Sequence, residues 1–238
     1  MTDKPCSIWI GFDHREVAAF VVAKQSARDH CIKPIPIYGL VLDELQKKNL
    51  YWRPTERRLG KLWDVISDHW MSTEFAISRF LVPHLAGTGW ALFMDSDMLV
   101  RGNLDRLFES LDDGYAAYCV KHDHRPAHSV KMDGQAQSQY FRKNWSSFIA
   151  FNCDHPANQA LTLNYVNREK GRDLHGLGWL REDQIGELGT EWNWLAGYSS
   201  PNIDPKVVHH TEGSPCLVGF ENAPYADEWR AVLHGWAA

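Results

Sequence analysis

The sequence lacks a CxxC pair, and its five cysteines, Cys6, Cys31, Cys119, Cys153 and Cys216, are odd in number and widely scattered. That argues against a disulfide frame or a cysteine-ligated zinc and fits reduced thiols in a cytosolic protein. No apolar run approaches the roughly 20 residues that span a bilayer, and the N-terminus lacks the apolar core of a signal peptide. The expectation is a cytoplasmic protein with no transmembrane segment, at most in peripheral contact with a membrane. A surplus of positive charge is missing too. The formal net charge of -5 gives no general attraction to nucleic acid or anionic lipid, so any grip on phosphate must be local. That favours a small phosphorylated ligand over a polymer. A glycine-rich, basic phosphate loop near the N-terminus, which a nucleotidyltransferase would carry, is not evident.

What is present fits an α/β protein. The 238 residues can bury a sizeable core and are compatible with a single domain over 1–238. The 11 tryptophans are many for this length; such a surplus supplies flat faces for sugars or bases, although core filling accounts for most tryptophans. The organising stretch is 90–100, where the apolar run Trp90-Ala91-Leu92-Phe93-Met94 delivers Asp95-Ser96-Asp97 and resumes as Met98-Leu99-Val100. It reads as a buried strand ending in two carboxylates. Two acids one residue apart at the end of a dry strand repel each other and lose hydration, and a cation is the simplest compensation. Hard oxygen ligands suit magnesium or manganese. On this stretch alone, capping of the following helical segment, with Asn103 or Asp105 as companions, accounts for the acids equally well.

Strand and helix patterns alternate along the chain, which implies a largely parallel sheet covered on both faces. Residues 7–12 form a short strand ending at Asp13, and 15–30 carry the spacing of a crossover helix. Gly11 allows a ligand close to the strand end, while Asp13 falls where a helix N-cap would. Residues 34–41 form a second β segment that Pro34 and Pro36 confine to an edge or to its first residues. Residues 51–60 read as a polar loop with Arg53, Arg57 and Arg58, followed by Lys61. Such a loop either folds over a diphosphate or is simply solvated. A helix is expected over 72–85 with Arg79 on its apolar side, and another from Pro156 to about residue 170.

His122, His124 and His128 have neither a second ligand pair nor a regular element around them and read as a polar loop. Residues 134–139 are a candidate lid or acceptor loop. Asp183 and Gln184 sit side by side in a segment expected to open a short helix. Near the end, Lys206-Val207-Val208-His209-His210 reads as a last strand finishing in two imidazoles; imidazole there is a good third ligand for a carboxylate-bound manganese, although by itself such a pair is more often structural or surface-exposed.

In this order the motifs resemble the family 8 glycosyltransferases, the retaining group that includes glycogenin and bacterial lipopolysaccharide galactosyl- and glucosyltransferases. The resemblance runs through Gly11-Phe12-Asp13, Ser78-Arg79-Phe80-Leu81-Val82-Pro83-His84-Leu85, residues 92–100, the Ser-rich strand to Asn152, Asp183-Gln184, Trp192-Asn193 and Val208-His209-His210-Thr211-Glu212-Gly213. It implies a GT-A nucleotide-sugar fold with a mixed, mostly parallel central sheet flanked by helices, a manganese or magnesium ion, and transfer of a hexose from a UDP-sugar to a carbohydrate or other hydroxyl acceptor with retention. Asp95 and Asp97 match the family's metal-binding acids, and His209 its C-terminal ligand, with His210 the alternative. Gly11, Phe12 and Asp13 match the uridine-contacting strand end. Arg79, Asp95, Ser96 and Gly213 fall at donor-binding positions, and Asp183 and Gln184 match the pair facing the reacting carbon.

The family's Gly-x-x-Lys-Pro-Trp tail appears here as Gly213-Ser214-Pro215-Cys216-Leu217, so its diphosphate-binding lysine is absent; Lys61 or the arginines of 51–60 are the substitutes. Front-face attack, with the leaving phosphate accepting the acceptor's proton, is preferred over double displacement through Asp183, because spacing alone places no acid as a nucleophile. A non-catalytic nucleotide-sugar binding module and a metal-dependent nucleotidyltransferase are the alternatives.

Overall fold

The computed structural model describes residues 4–123 and 142–237. The expectations for His124, His128 and residues 134–139 lie outside the described residues. β1 (Cys6–Gly11) and α1 (Val17–Asp29) form the first strand and crossover helix. β2 (Ile37–Leu40) follows, then α2 (Leu42–Lys47). β3 (Thr55–Arg58), β4 (Lys61–Asp64) and β5 (His69–Trp70) build a separate antiparallel sheet. After α3 (Val82–Ala86) come β6 (Trp90–Met94), β7 (Met98–Val100), α4 (Leu104–Glu109) and β8 (Ala117–Cys119). Beyond residue 141 lie β9 (Phe148–Asn152), α5 (Leu163–Arg168), α6 (Gly171–His175), β10 (Ile185–Glu187), β11 (Trp194–Leu195), β12 (Val207–His209) and α7 (Ala226–Ala237).

The central sheet has the order β10-β8-β9-β6-β1-β2. Its β1–β2, β1–β6 and β8–β10 pairs are parallel; the two pairs made by β9 are antiparallel. β2 takes the edge, where Pro34 and Pro36 just ahead of it remove no interior ladder bond. Both faces of β6 are covered. Trp90, Leu92 and Met94 pack with Ile8 and Ile10 on one side, and Ala91 and Phe93 pack with Phe75, Phe80 and Ile149 on the other. Burial on two faces is why this strand reads as an unbroken apolar run rather than an alternating one. β11, β12 and β7 form a second small sheet that α1 and α7 cover through Ala19, Val22 and Trp229. All five cysteines are unbridged, and no helix of the described residues is long and apolar enough to cross a membrane.

Several segments depart from the sequence pattern. The region 72–85 is not one helix: a 3-10 turn over Ser78–Leu81 precedes α3, because Pro83 has no N–H to give and belongs in a first turn. The helix expected from Pro156 divides into a 3-10 turn over Pro156–Ala160 and α5, whose start is capped by Thr162 accepting from the Tyr165 amide at 3.1 Å. Glu182–Gln184 is a single 3-10 turn that runs into a strand.

The arginine-rich stretch is not a loop over a ligand. Leu59 and Gly60 both have positive φ, 50° and 78°, which makes the two-residue turn of a β3–β4 hairpin. Arg53 is buried against Asp64, with Nε and Nη2 at 2.7 and 2.6 Å from its two oxygens, and Nη1 donates to the carbonyls of Val166 and Glu169. This ion pair ties the small sheet to α5. Arg53→Met leaves the Asp64 charge buried without its partner and is expected to cost about 3 to 5 kcal/mol in denaturant unfolding. Adding Asp64→Leu should recover most of that loss; no recovery in the double variant would refute the pairing as the cause.

Candidate metal centre

Asp95-Ser96-Asp97 occupies the junction where the chain leaves the central sheet and enters the small one. The Asp95 amide donates to Ser147 O at 2.9 Å, extending the β6–β9 ladder by one bond. Ser96 turns inward, and its hydroxyl donates to Glu16 Oε2 at 3.1 Å. The next residues pair antiparallel with β12, and His209 lies opposite Met98. That register sets His209 Nε2 3.4 Å from Asp97 Oδ1. Asp95, Asp97 and His209 each present a ligand atom, all within 4.8 Å of one another, a span comparable to one divalent ion's shell, roughly 4 to 5 Å across. His210 lies outside this trio. Its amide donates to Asp97 O at 3.0 Å, and its ring Nε2 meets Pro224 O at 2.9 Å. Capping of α4 falls to Asn103, which accepts from the Arg106 amide at 3.0 Å, and Asp105 accepts from the Ile32 and Lys33 amides. The acid pair therefore does not perform that task.

Arg79 is buried beside the trio. Its Nη1 donates to Asp95 Oδ1 at 2.7 Å and to Ser146 O at 2.9 Å, Nε donates to Ala76 O, and the guanidinium stacks over Phe75 and Phe93. It is thus spent on orienting Asp95. His175 lies behind it, its Nδ1 at 2.7 Å from Ser146 Oγ. Burial first, then the nearby Arg79 charge, push its imidazole down to about 3, so it brings no positive charge. Glu16 is an acid that no sequence motif marked. Burial first, then the Asp97 and Asp13 charges, raise it to about 7 against the partial relief of the Ser96 hydroxyl and Arg15.

These groups wall a cavity of about 740 Å³, a size suited to a small ligand. Glu16, Arg79, Asp95, Asp97, His209 and Gly213 line it; Glu212, whose carboxylate accepts a hydrogen bond from Tyr198 Oη, lines it as well. Three cations that sequence reasoning overlooked, Lys143, Lys170 and Arg172, are also on its wall. Finding them needed the fold, since they come from the turn at 142–147 and the start of α6, which meet only in space.

Other expected site residues are elsewhere. Gly11 is glycine for packing: an added Cβ would sit 2.4 Å from the Phe75 ring. Phe12 packs edge-on against Phe20. Asp13 is fully buried and not part of the cavity lining, and its carboxylate accepts from Arg15 and from the Arg15 and Glu74 amides. Burial works to raise its pKa, and these bonds overcome that and hold it below the usual range. Lys61 starts β4, outside the cavity lining, while Arg57 and Arg58 pair with Glu74 and Glu56. Asp183 is also outside the lining, its carboxylate bridged to Arg181 at 3.0 Å, and Gln184 Oε1 accepts from the Arg181 amide.

No family model matches this sequence. Protein CDI of Arabidopsis thaliana is 40% identical over 232 residues, covering 95% of this chain and 85% of that one. The chain belongs to the Protein CDI family. Among solved structures, the WbbM bifunctional glycosyltransferase superposes with a TM-score of 0.60 at 17% identity over 98% of this chain. The chain spans 50% of the length of WbbM. The galactosyltransferase LgtC, in complex with donor and acceptor sugar analogs, gives 0.58 at 14% identity, covering 96% of this chain and 95% of its own. At these identities the likeness is one of fold, and that fold is GT-A.

In this member of the family the donor set of two carboxylates and one imidazole on the cavity wall suits a divalent ion. Glu16 makes the wall pH-sensitive when no ion is bound. Its folded-state pKa is raised, so its contribution to stability is full below about 4.5, its ordinary value, and is lost as pH climbs through about 7. With chelator present, Glu16→Gln should remove that decline and raise unfolding free energy above pH 7 by on the order of 2 kcal/mol. Thermal melts across the range check this; an unchanged pH slope would contradict it.

Proposed function

We propose that the chain is a metal-dependent glycosyltransferase that moves a hexose, glucose or galactose, from a UDP-sugar to a hydroxyl acceptor with retention, working as one GT-A domain. The carrying observation is the closure of Asp95, Asp97 and His209 on one wall of a ligand-sized cavity. These three residues would hold manganese or magnesium, which when bound supplies Lewis-acid neutralisation of the departing diphosphate. The chain's own cations complete that neutralisation. Lys143, Lys170 and Arg172, on the cavity wall, take the place of the lysine missing after Gly213. Arg79 keeps Asp95 aimed inward.

In the preferred front-face course, the bond from the anomeric carbon to the diphosphate oxygen breaks as the acceptor oxygen bonds to that carbon from the same side. The acceptor's proton passes to the departing phosphate oxygen. The position of Asp183, bridged to Arg181 outside the cavity, supports this course over double displacement. The same position favours a second reading, a nucleotide-sugar binding module without turnover, because the pair expected to face the reacting carbon does not line the cavity.

Calorimetric titration with UDP, with and without manganese, tests the site, and a transfer screen over UDP-sugars then separates enzyme from binder. Asp97→Ala is expected to abolish manganese-dependent UDP affinity with the circular dichroism spectrum unchanged, and undiminished affinity would overturn the reading. His209→Ala should lose the manganese dependence, while His210→Ala should keep it.

A further inference from the structure

Asn193 is fully buried at the end of the turn Thr190–Asn193, ahead of β11. Its side chain touches three groups. Nδ2 donates to Ser147 Oγ at 3.0 Å and to Asn144 O at 3.3 Å, and Oδ1 lies 2.9 Å from His209 Nδ1. The amide cannot be turned round. The Ser147 hydroxyl proton is already given to Asn144 O at 2.7 Å, so a flipped amide would set its oxygen against two acceptors. With Oδ1 facing the ring, only a proton on His209 Nδ1 makes that contact a hydrogen bond. A neutral imidazole then carries its lone pair on Nε2, the atom 3.4 Å from Asp97 Oδ1.

We infer that Asn193 is a positioning residue: it sets the ring tautomer of His209 and so turns Nε2, as a ready ligand, toward Asp97 and the cavity. The inference rests on the metal-site reading above for its purpose, but not for its geometry. Residues 144–147 support two of the three, Asp95 and His209, from behind. Ser147 O takes the Asp95 amide, Ser146 O takes Arg79, and Asn144 O with Ser147 Oγ locks Asn193. A carbonyl or carboxylate behind a metal-binding histidine raises ligand basicity and fixes the ring, and its loss typically lowers metal affinity about 10- to 100-fold.

The test compares the unmodified chain with Asn193→Leu and Asn193→Asp. Leucine keeps the volume and removes the acceptor, whereas aspartate keeps an acceptor for Nδ1–H and loses the donors to Asn144 and Ser147. Long-range proton–nitrogen NMR of the metal-free protein, in buffer above the ordinary imidazole range, should show the Nδ1–H tautomer of His209 in the unmodified chain and in Asn193→Asp. Asn193→Leu should show a mixture or the Nε2–H form. Manganese affinity, titrated with the metal alone, should fall about 10- to 100-fold in Asn193→Leu and stay within a few-fold in Asn193→Asp.

A merely structural role would weaken both variants alike, and that result overturns the inference. So does an Nε2–H tautomer in the unmodified chain, a measurement that stands even if Asn193→Leu fails to fold. Absence of manganese binding in the unmodified chain would instead overturn the functional reading, and the tautomer is still decided by its own spectrum.

Discussion

The centre of this molecule depends on one strand pairing, the antiparallel register that sets His209 opposite Met98. β7 is only three residues long and follows directly on the acid pair, so whichever residue of β12 faces Met98 also meets Asp97. Side chains alternate along a strand, and a shift of one residue would exchange His209 for His210. The core is packed to match the observed choice. Val207 packs in the cluster around Val100 and Leu104, and Val208 packs with Leu99, Trp194 and Trp229. In this register both valines are fully buried, one in each cluster.

Around this pairing several of the charges are held in ion pairs. Arg79 is committed to Asp95, Arg15 to Asp13 and Arg53 to Asp64. His175 is neutral by burial. The cavity wall carries Glu16, Asp95, Asp97 and Glu212 with Lys143, Lys170 and Arg172. A wall of this mixed kind suits an anionic ligand bridged by a divalent cation better than either alone, since each sign of charge meets its opposite. The high pKa of Glu16 is the cost of crowding one carboxylate among others in a dry corner.

Much of this was legible in the chain before folding. The two-sided burial of β6 was readable from its apolar run, and the edge position of β2 from Pro34 and Pro36. The acid pair and a histidine at the end of a late strand were both recognisable as candidate ligands, because hard oxygens and imidazole suit a divalent ion, although on their own stretch capping explained the acids equally well. What misled was charge read without geometry. Arg53 looks like a surface cation in sequence, yet it is buried against Asp64. Gly11, read as leaving room for a ligand, packs against Phe75, and Asp13 sits in an internal hydrogen-bond knot that the sequence did not disclose. The turn at Leu59 and Gly60 was missed because leucine seldom adopts positive φ.

By itself, the sequence determined the alternation of strand and helix, the strand that carries Asp95 and Asp97, and the identity of the side chains able to bind an ion. Those properties are local: periodicity, proline placement and side-chain chemistry act over a few residues. Only the tertiary structure decided that His209 rather than His210 closes on the acids, about 110 residues after them. It likewise decided that Glu16 faces Asp97, that Asn193 stands behind the histidine, and that the cavity's cations come from Lys143, Lys170 and Arg172. Each of these depends on register and on the packing of distant segments, and register is set by which side chains the core can bury, which no short stretch of sequence contains.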